Sequence, residues 1–259
     1  MKIIVCIKQV PDAKDVRLDP ITNTLAREGV QSIMNPYDQY AVEEAVRLKE
    51  KCGGEVIVIS MGPPQAEEIL RQAISCGADN AILISDRSFA GADTWATAYT
   101  LEHAIKKIGN FDLIVCGKQA IDGDTAQVGP GLATRLDIPY ITCVQKIREA
   151  TESGLIAERM MDDGFDVVAV DYPALLSVVK DINEPRVPSI KGKMKAKKAE
   201  IVKFNAQTIE ADPACIGLPG SPTKVVNVFP PSARGGRSVL TGTLDEQIDQ
   251  LVEKLLPYL

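Results

Sequence analysis

The sequence predicts an α/β protein: a parallel sheet with helices on both faces, an antiparallel extension and a C-terminal arm. Three observations carry this reading. Short Val- and Ile-rich runs recur through the first 140 residues, with helical stretches between them. The runs are near-continuous rather than alternating, as in strands covered on both faces. After about residue 145 the pattern changes to short segments separated by turn signals.

The strands are expected at Lys2–Lys8 (KIIVCIK), Glu55–Ser60 (EVIVIS), Asn80–Ser85 (NAILIS) and Phe111–Gly117 (FDLIVCG). Between them, Asp38–Lys51 places Ala41, Val42, Ala45, Val46 and Leu48 on one helical side, and Pro64–Cys76 and Asp93–Ile108 have similar periodicity. Gly53-Gly54 and Gly77 follow helix ends, where a left-handed cap is wanted. Gly154–Met161, Gly164–Val170 and Ala174–Val179 read as an antiparallel meander, with Asp162-Asp163 in a hairpin turn. DINEPRVPSI, 181 to 190, has two prolines and reads as an exposed loop. Six lysines follow within thirteen residues, Lys191 to Lys203. They suit either a charged sheet edge or a docking surface. From 205 to 242 Pro, Gly and Ser clusters replace periodicity, so this stretch is expected to be an extended arm packing on something else. Arg234-Gly235-Gly236-Arg237 within it reads as a linker. The chain closes with a helix over Thr243–Leu256, capped by Thr243 with Glu246 at the capping-box position.

Composition excludes several classes. A net charge of −6 gives no reason to expect nucleic acid. No apolar run is long enough to span a bilayer, and IIVCI is too short for a signal peptide, so the cytoplasm is the expected location. The six cysteines form no CxxC pair and read as small buried thiols; His103 is the single histidine and reads as a helix-surface residue. Zinc knuckles, iron–sulfur clusters and His-based triads are disfavoured, no metal site is expected, and any redox chemistry needs a cofactor.

Ligands of open parallel sheets bind at the carboxyl ends of strands, where the topology reverses. Four segments meet that criterion: Cys6-Ile7-Lys8, the helix start at Asn35-Pro36, Ser60-Met61-Gly62-Pro63, and GKQAIDGDTAQVGP, 117 to 130. In the last, Gly117 is expected to end a strand and admit a ligand to the backbone. Asp122-Gly123-Asp124 is a turn, and Asp124 or Thr125 can cap a helix running toward Leu136. Free N–H groups at such a helix start form an anion site. The competing reading is a well-capped strand–helix turn. No GxGxxG follows the first strand and no GxxxxGK[ST] occurs, which disfavours a dinucleotide Rossmann site and a P-loop.

VCIKQVPD, MNPYDQYAVEEAVRLKE, GKQAIDGDTAQVGP, NEPRVPSI and KMKAKK together resemble, in order and spacing, the beta subunit of electron transfer flavoprotein. The resemblance covers nearly the whole chain. It implies a parallel-sheet nucleotide-binding fold of the adenine nucleotide alpha hydrolase type over 1–204, and a 205–259 arm and helix packing on an alpha subunit. Carried over, nucleotide contacts fall at Cys6, Asn35, Pro36, Tyr37, Asp38 and Met61. They continue along Gly117, Lys118, Gln119, Ala120, Ile121, Asp122, Gly123, Asp124, Thr125, Ala126, Gln127 and Val128, with no catalytic side chain. The family's recognition loop for acyl-CoA dehydrogenases corresponds to about Asn183–Lys198. There Asn183, Glu184, Pro185, Arg186 and Lys195 surround Ile190, the apolar anchor. Small Gly123 and Ala126, with Val128 and Pro130 in place of polar groups, resemble members whose beta subunit binds FAD. Those members bifurcate electrons from NADH, one branch going to a low-potential acceptor such as ferredoxin or flavodoxin. AMP is the alternative ligand. Stress-type ATP binding and substrate adenylation are further alternatives, although Gln9-Val10-Pro11-Asp12 stands where adenylating enzymes carry a glycine-rich loop.

Overall fold

The computed structural model describes residues 1–12, 17–18, 25–26, 32–226 and 238–258. Arg234–Arg237 lies outside them. The central sheet has nine strands, and its middle is parallel as expected. β1 (Lys2–Cys6) lies between β6 (Glu55–Met61) and β8 (Leu113–Gly117), parallel to both. β7 (Asn80–Ile84) continues beyond β6, and β13 (Val202–Phe204) closes that edge. Short strands β2 (Gln9–Pro11) and β5 (Ser32–Met34) pair with each other, as do β3 (Arg17–Leu18) and β4 (Leu25–Ala26).

Alternate residues of the parallel strands feed two cores. Ile3, Val5 and Val58 pack with α1 (Pro36–Cys52) and α2 (Glu67–Ser75), and Ala41, Val42, Ala45, Val46 and Leu48 of α1 are all buried there. Ile4, Ile57 and Ile59 face the other side, against α3 (Thr94–Ile108) and α4 (Val128–Leu136). Two apolar faces per strand explain the continuous Val/Ile runs.

The second half departs from expectation. The expected meander contains the right hairpin, β10 (Gly154–Met160) and β11 (Phe165–Asp171), but its third member is elsewhere. β12 (Ala174–Val178) inserts between β8 and a strand the sequence hid, β9 (Tyr140–Ala150), and runs parallel to both. Every side chain of β12 is buried, as its two-sided packing requires. The meander is therefore β9, β10 and β11, outside β12. The lysine-rich run is not a sheet-edge strand over most of its length but a helix, α5 (Ile190–Lys198), lying on α2.

The start of the expected arm packs on the chain's own body. Ile209 and Ile216 are buried on the α3 face; each contributes roughly 1.5–3 kcal/mol of burial. His103 Nδ1 donates to the Ile209 carbonyl (3.1 Å), the Asp212 N–H to Tyr99 Oη (3.0 Å), and Thr223 Oγ1 to Asp93 (2.8 Å). The last helix, α6 (Leu244–Leu255), carries the expected capping box of Thr243 and Glu246 and buries none of its residues. Among the described residues, no helix is long and apolar enough to cross a membrane, and no group of three or more His, Cys, Asp or Glu could hold a metal.

Candidate functional site

The chain leaves β1, builds β6 and β7 on one side, then crosses to build β8 on the other. Connections diverge between β1 and β8, which opens a crevice at their carboxyl ends. Cys6 and Cys116 are register partners there. Met61 ends the next strand over, β6. Burial pushes the Cys6 thiol up to about 12, with Asp38 adding to the shift, and drives Cys116 in the same direction. Both thiols therefore stay protonated at neutral pH.

Helix α1 points its first turn at this crevice. Pro36 occupies the first helical position, where its missing N–H costs nothing, and Tyr37 follows. Asn35 does not cap the helix with its side chain. Its amide instead donates to Asp38 Oδ1 and to the Gln119 carbonyl (2.9 Å each), and its oxygen accepts from the Ile121 N–H (3.2 Å). Asp38 accepts the Lys8 N–H (2.7 Å) on one oxygen and the Gly117 N–H (3.2 Å) on the other. One carboxylate thus ties the ends of β1 and β8 together.

Burial raises the Asp38 carboxyl from 3.8 to about 7, outweighing the donors from Asn35, Lys8 and Gly117. A carboxyl with a raised folded-state pKa favours folding fully below its unfolded value. That share is lost as the pH climbs through about 7. The Asp38 carboxyl carbon, followed by NMR in 13C-labelled protein, is expected to titrate near pH 7; a midpoint below 4 would show that the three donors win.

Gly117 plays a different part from the one expected. A Cβ built on it would stand 2.6 Å from Tyr37 Cβ and 2.8 Å from the Tyr37 carbonyl carbon, with Asp38 Oδ1 closer still. The glycine admits the first turn of helix α1. The two loop aspartates are also accounted for. Asp122 pairs with Lys8 Nζ (2.7 Å), and Asp124 accepts from Gln119 Nε2. The Asp124 N–H donates to the Ala120 carbonyl (2.8 Å), closing the expected turn. Neither Asp124 nor Thr125 caps α4: the helix starts later, at Val128, after Gln127, and without a side-chain cap. Asp124 and Ala126 adopt left-handed φ of 52° and 54°, which delays the helix. Nothing stands within 4 Å of a Cβ at Gly123.

Past this loop lies a cleft of about 340 Å³, lined by Lys118, Ala126 and Gln127 on one side and by Tyr140, Thr142 and Arg159 on the other. Arg159 Nε is buried with no hydrogen-bond partner. A cation orphaned beside uncapped helix N–H groups fits an anionic ligand such as a nucleotide. Sequence reasoning missed Arg159, because it comes from the strand across the sheet, and the only signal for it was an Arg inside an otherwise ordinary hairpin.

The segment 183–198 sits along α1 and α2. Asn183 Nδ2 donates to the Tyr40 carbonyl (3.0 Å) and Glu44 (2.9 Å), and the Glu184 carbonyl accepts from Arg47 (3.1 Å). Arg186 bonds Glu43 through Nε (2.8 Å) and Glu50 through Nη1 (2.7 Å). Burial pushes Glu43 up, but Arg186 and Arg47 bring it below the ordinary value; burial leaves Glu44 above it. Pro185 is half-buried between these ties. Lys195 is half-exposed; its ammonium donates to the Ala78 carbonyl (2.9 Å) and stands 3.8 Å from Asp79. Gly192 lets α5 lie directly on the Ser75 carbonyl, and Arg71 donates to the Ala196 carbonyl (2.6 Å) near the other end. What the segment presents outward is apolar: Val187 (86% exposed), Ile190 (81%, at the first position of α5) and Met194 (58%).

Comparison with known proteins gives the family. Residues 22–209 match the electron transfer flavoprotein domain family. The electron transfer flavoprotein subunit beta of Thermoanaerobacterium thermosaccharolyticum is 52% identical over 256 residues, covering 98% of each chain. The caffeyl-CoA reductase-Etf complex subunit CarD of Acetobacterium woodii is 49% identical over 98% of each chain. Protein FixA of Sinorhizobium fredii is 44% identical, over 99% of this chain and 92% of its own.

Proposed function

The chain belongs to the electron transfer flavoprotein family as a beta subunit, and from that premise we propose that it holds FAD in the crevice and passes electrons from NADH by bifurcation. The recipients are an acyl-CoA dehydrogenase and a low-potential acceptor such as ferredoxin or flavodoxin. The observation that supports FAD over AMP is the room past the loop. The site continues beyond open Gly123 into the cleft of about 340 Å³. Bound FAD supplies hydride acceptance and release of electrons one at a time.

The chain itself contributes binding and orientation. Both Asp38 oxygens already accept N–H groups, the strand-end thiols are protonated, and His103 is held at Ile209. None of these groups is placed to move a proton. Within the 117–128 loop the Gly117, Lys118, Ile121 and Asp124 N–H groups are taken by Asp38, Val178, Asn35 and Ala120, so the N–H groups offered to a ligand are those toward the uncapped start of α4, and Lys8 neutralises Asp122 beside the crevice. The decisive experiment is a cofactor count on the purified αβ complex. Two FAD per heterodimer are expected, one of them in the alpha subunit; one FAD with one AMP refutes bifurcation at this site.

The same reading places the alpha subunit against the C-terminal arm. Ile248, Leu251, Val252 and Leu255 form an exposed apolar stripe on α6, spaced for one helix face. Deleting residues 242–259 is expected to release the alpha subunit on gel filtration, and an intact heterodimer would remove the arm from the interface. The proposed location is the cytoplasm.

A further inference from the structure

We propose that Trp95, with Arg135 stacked on it, forms a contact surface for the alpha subunit beside the root of the C-terminal arm. The inference rests on the heterodimer reading above. It goes beyond that reading by assigning to the interface a part of the folded body distant from α6 in sequence.

The chain has one tryptophan, and it is displayed rather than buried. Ala96, Ala98, Leu101, Ala104 and Ile105 form the buried side of α3. Trp95, Tyr99 and Glu102 stand at i, i+4 and i+7, which lines them up on an adjoining face. There Trp95 is 59% exposed, although tryptophan is highly buried on average. The group is also organised. The Arg135 guanidinium carbon, from α4, lies 4.3 Å from the centre of the Trp95 ring and 5.2 Å from that of Tyr99. Glu102 pairs with Arg135 at 3.3 Å and with Lys106 at 2.7 Å. Arg135 is thus fixed and charge-balanced before any partner arrives. Side chains already held in place lose little freedom on binding. Trp, Tyr and Arg are the residues that dominate the centres of protein interfaces.

The position of this group identifies its partner. Asp93 caps α3 with one carboxylate oxygen, which accepts the Trp95 and Ala96 N–H groups (3.0 and 3.1 Å). Its other oxygen accepts the Thr223 N–H (3.0 Å) and hydroxyl (2.8 Å), and the Asp93 N–H donates to Ser221 Oγ (2.9 Å). The arm is therefore tied to the same carboxylate that starts the helix displaying Trp95. Val225 and Val226, just past the last tie, are exposed. Further on, α6 carries its exposed apolar stripe. A partner gripped by the arm lies against the arm's root, and the root is fixed at Asp93, two residues before Trp95. Trp95, the two valines and the α6 stripe then serve one partner. Family membership supplies that partner as the alpha subunit.

The full chain labelled with 5-fluorotryptophan, which marks Trp95 alone, would be mixed with unlabelled alpha subunit and followed by 19F NMR. The Trp95 resonance is expected to shift as the complex forms and to lose its response to exchange of H2O for D2O. Trp95→Ala should weaken αβ association roughly tenfold, as truncation of an interface anchor does. Trp95→Phe should recover part of that loss. Thermal melting of each free variant checks folding, and the labelled wild-type chain gives a reading that needs no substitution. A heterodimer on gel filtration whose Trp95 resonance has not moved overturns the proposal and leaves the heterodimer reading intact. Absence of any heterodimer overturns both. A resonance that moves with the concentration of the labelled chain alone, and not with alpha subunit, would assign the surface to a second copy and equally overturn the proposal.

Discussion

Gly117→Ala is expected to cost about 3 kcal/mol of stability, as an over-packed site does, and to empty the proposed nucleotide site. The reason lies in the approach of α1 to the end of β8. A methyl group there meets the Tyr37 backbone and the Asp38 carboxylate, neither of which is the free end of a flexible chain. Relieving the contact moves the first turn of α1 outward. That stretches the Gly117 and Lys8 hydrogen bonds to Asp38 and the Asn35 bonds to the loop. Urea unfolding and adenylate content after purification read the two effects. Gly123→Ala is the control, because its added carbon has no neighbour within 4 Å. It should change stability by less than about 0.5 kcal/mol. Equal stability of Gly117→Ala and wild type would contradict the packing described for α1.

The second large effect is expected at Arg186. Truncation to Ala leaves the Glu43 carboxylate, 4% exposed, with Arg47 and the backbone N–H of residue 186 as its remaining partners. Losing one partner of a buried pair costs 3–5 kcal/mol when nothing compensates; the retained Arg47 reduces the expectation here to about 2 kcal/mol. The exposed link to Glu50 adds little. The functional consequence concerns the proposed docking loop. With its arginine gone the loop keeps its Asn183, Glu184 and backbone ties to α1 but loses the side-chain clamp nearest Ile190, which is then held less firmly in one orientation. The KM for the acyl-CoA dehydrogenase should rise roughly tenfold, or about 1.4 kcal/mol, with kcat and FAD content retained. Ile190→Ala should raise KM without lowering stability, because that side chain is exposed. A stability loss in Arg186→Ala with no change in KM would make the clamp purely architectural.

Much of the parallel sheet was legible because burial on two faces leaves a one-dimensional trace. Runs such as KIIVC and EVIVIS have no polar interruption. β9 left no such trace: it carries Gln145, Lys146, Arg148 and Glu149, and its bulges break the alternation that would reveal a half-buried strand. β12 was legible as a strand but not as an insertion between β8 and β9, since strand order depends on partners distant in sequence. At the candidate site the four segments were readable as strand and helix ends. Their internal chemistry was not. Asp38 and Gly117 are 79 positions apart, so nothing local shows that the glycine is reserved for the carboxylate. Helix α5, Ile190–Lys198, was hidden by its lysines, whose apolar neighbours are sparse. Its support is tertiary, through Gly192 on Ser75 and Arg71 near its carboxyl end.

Helix α1 has a mechanical consequence. Its first turn holds the crevice through Asn35 and Asp38, and Glu43, Glu44 and Glu50 hold the 183–186 segment further along. At a rise of about 1.5 Å per residue, Asp38 and Glu50 lie roughly 18 Å apart on one rigid rod. The rod is a fixed-length spacer. Whatever grips Ile190 has its distance to the crevice set by the number of residues in α1, not by a hinge. Each residue added between Asp38 and Glu43 would lengthen that spacing by about 1.5 Å and swing the clamp by about 100° around the axis. Changes in chain length within the interior of α1 are therefore incompatible with both attachments at once.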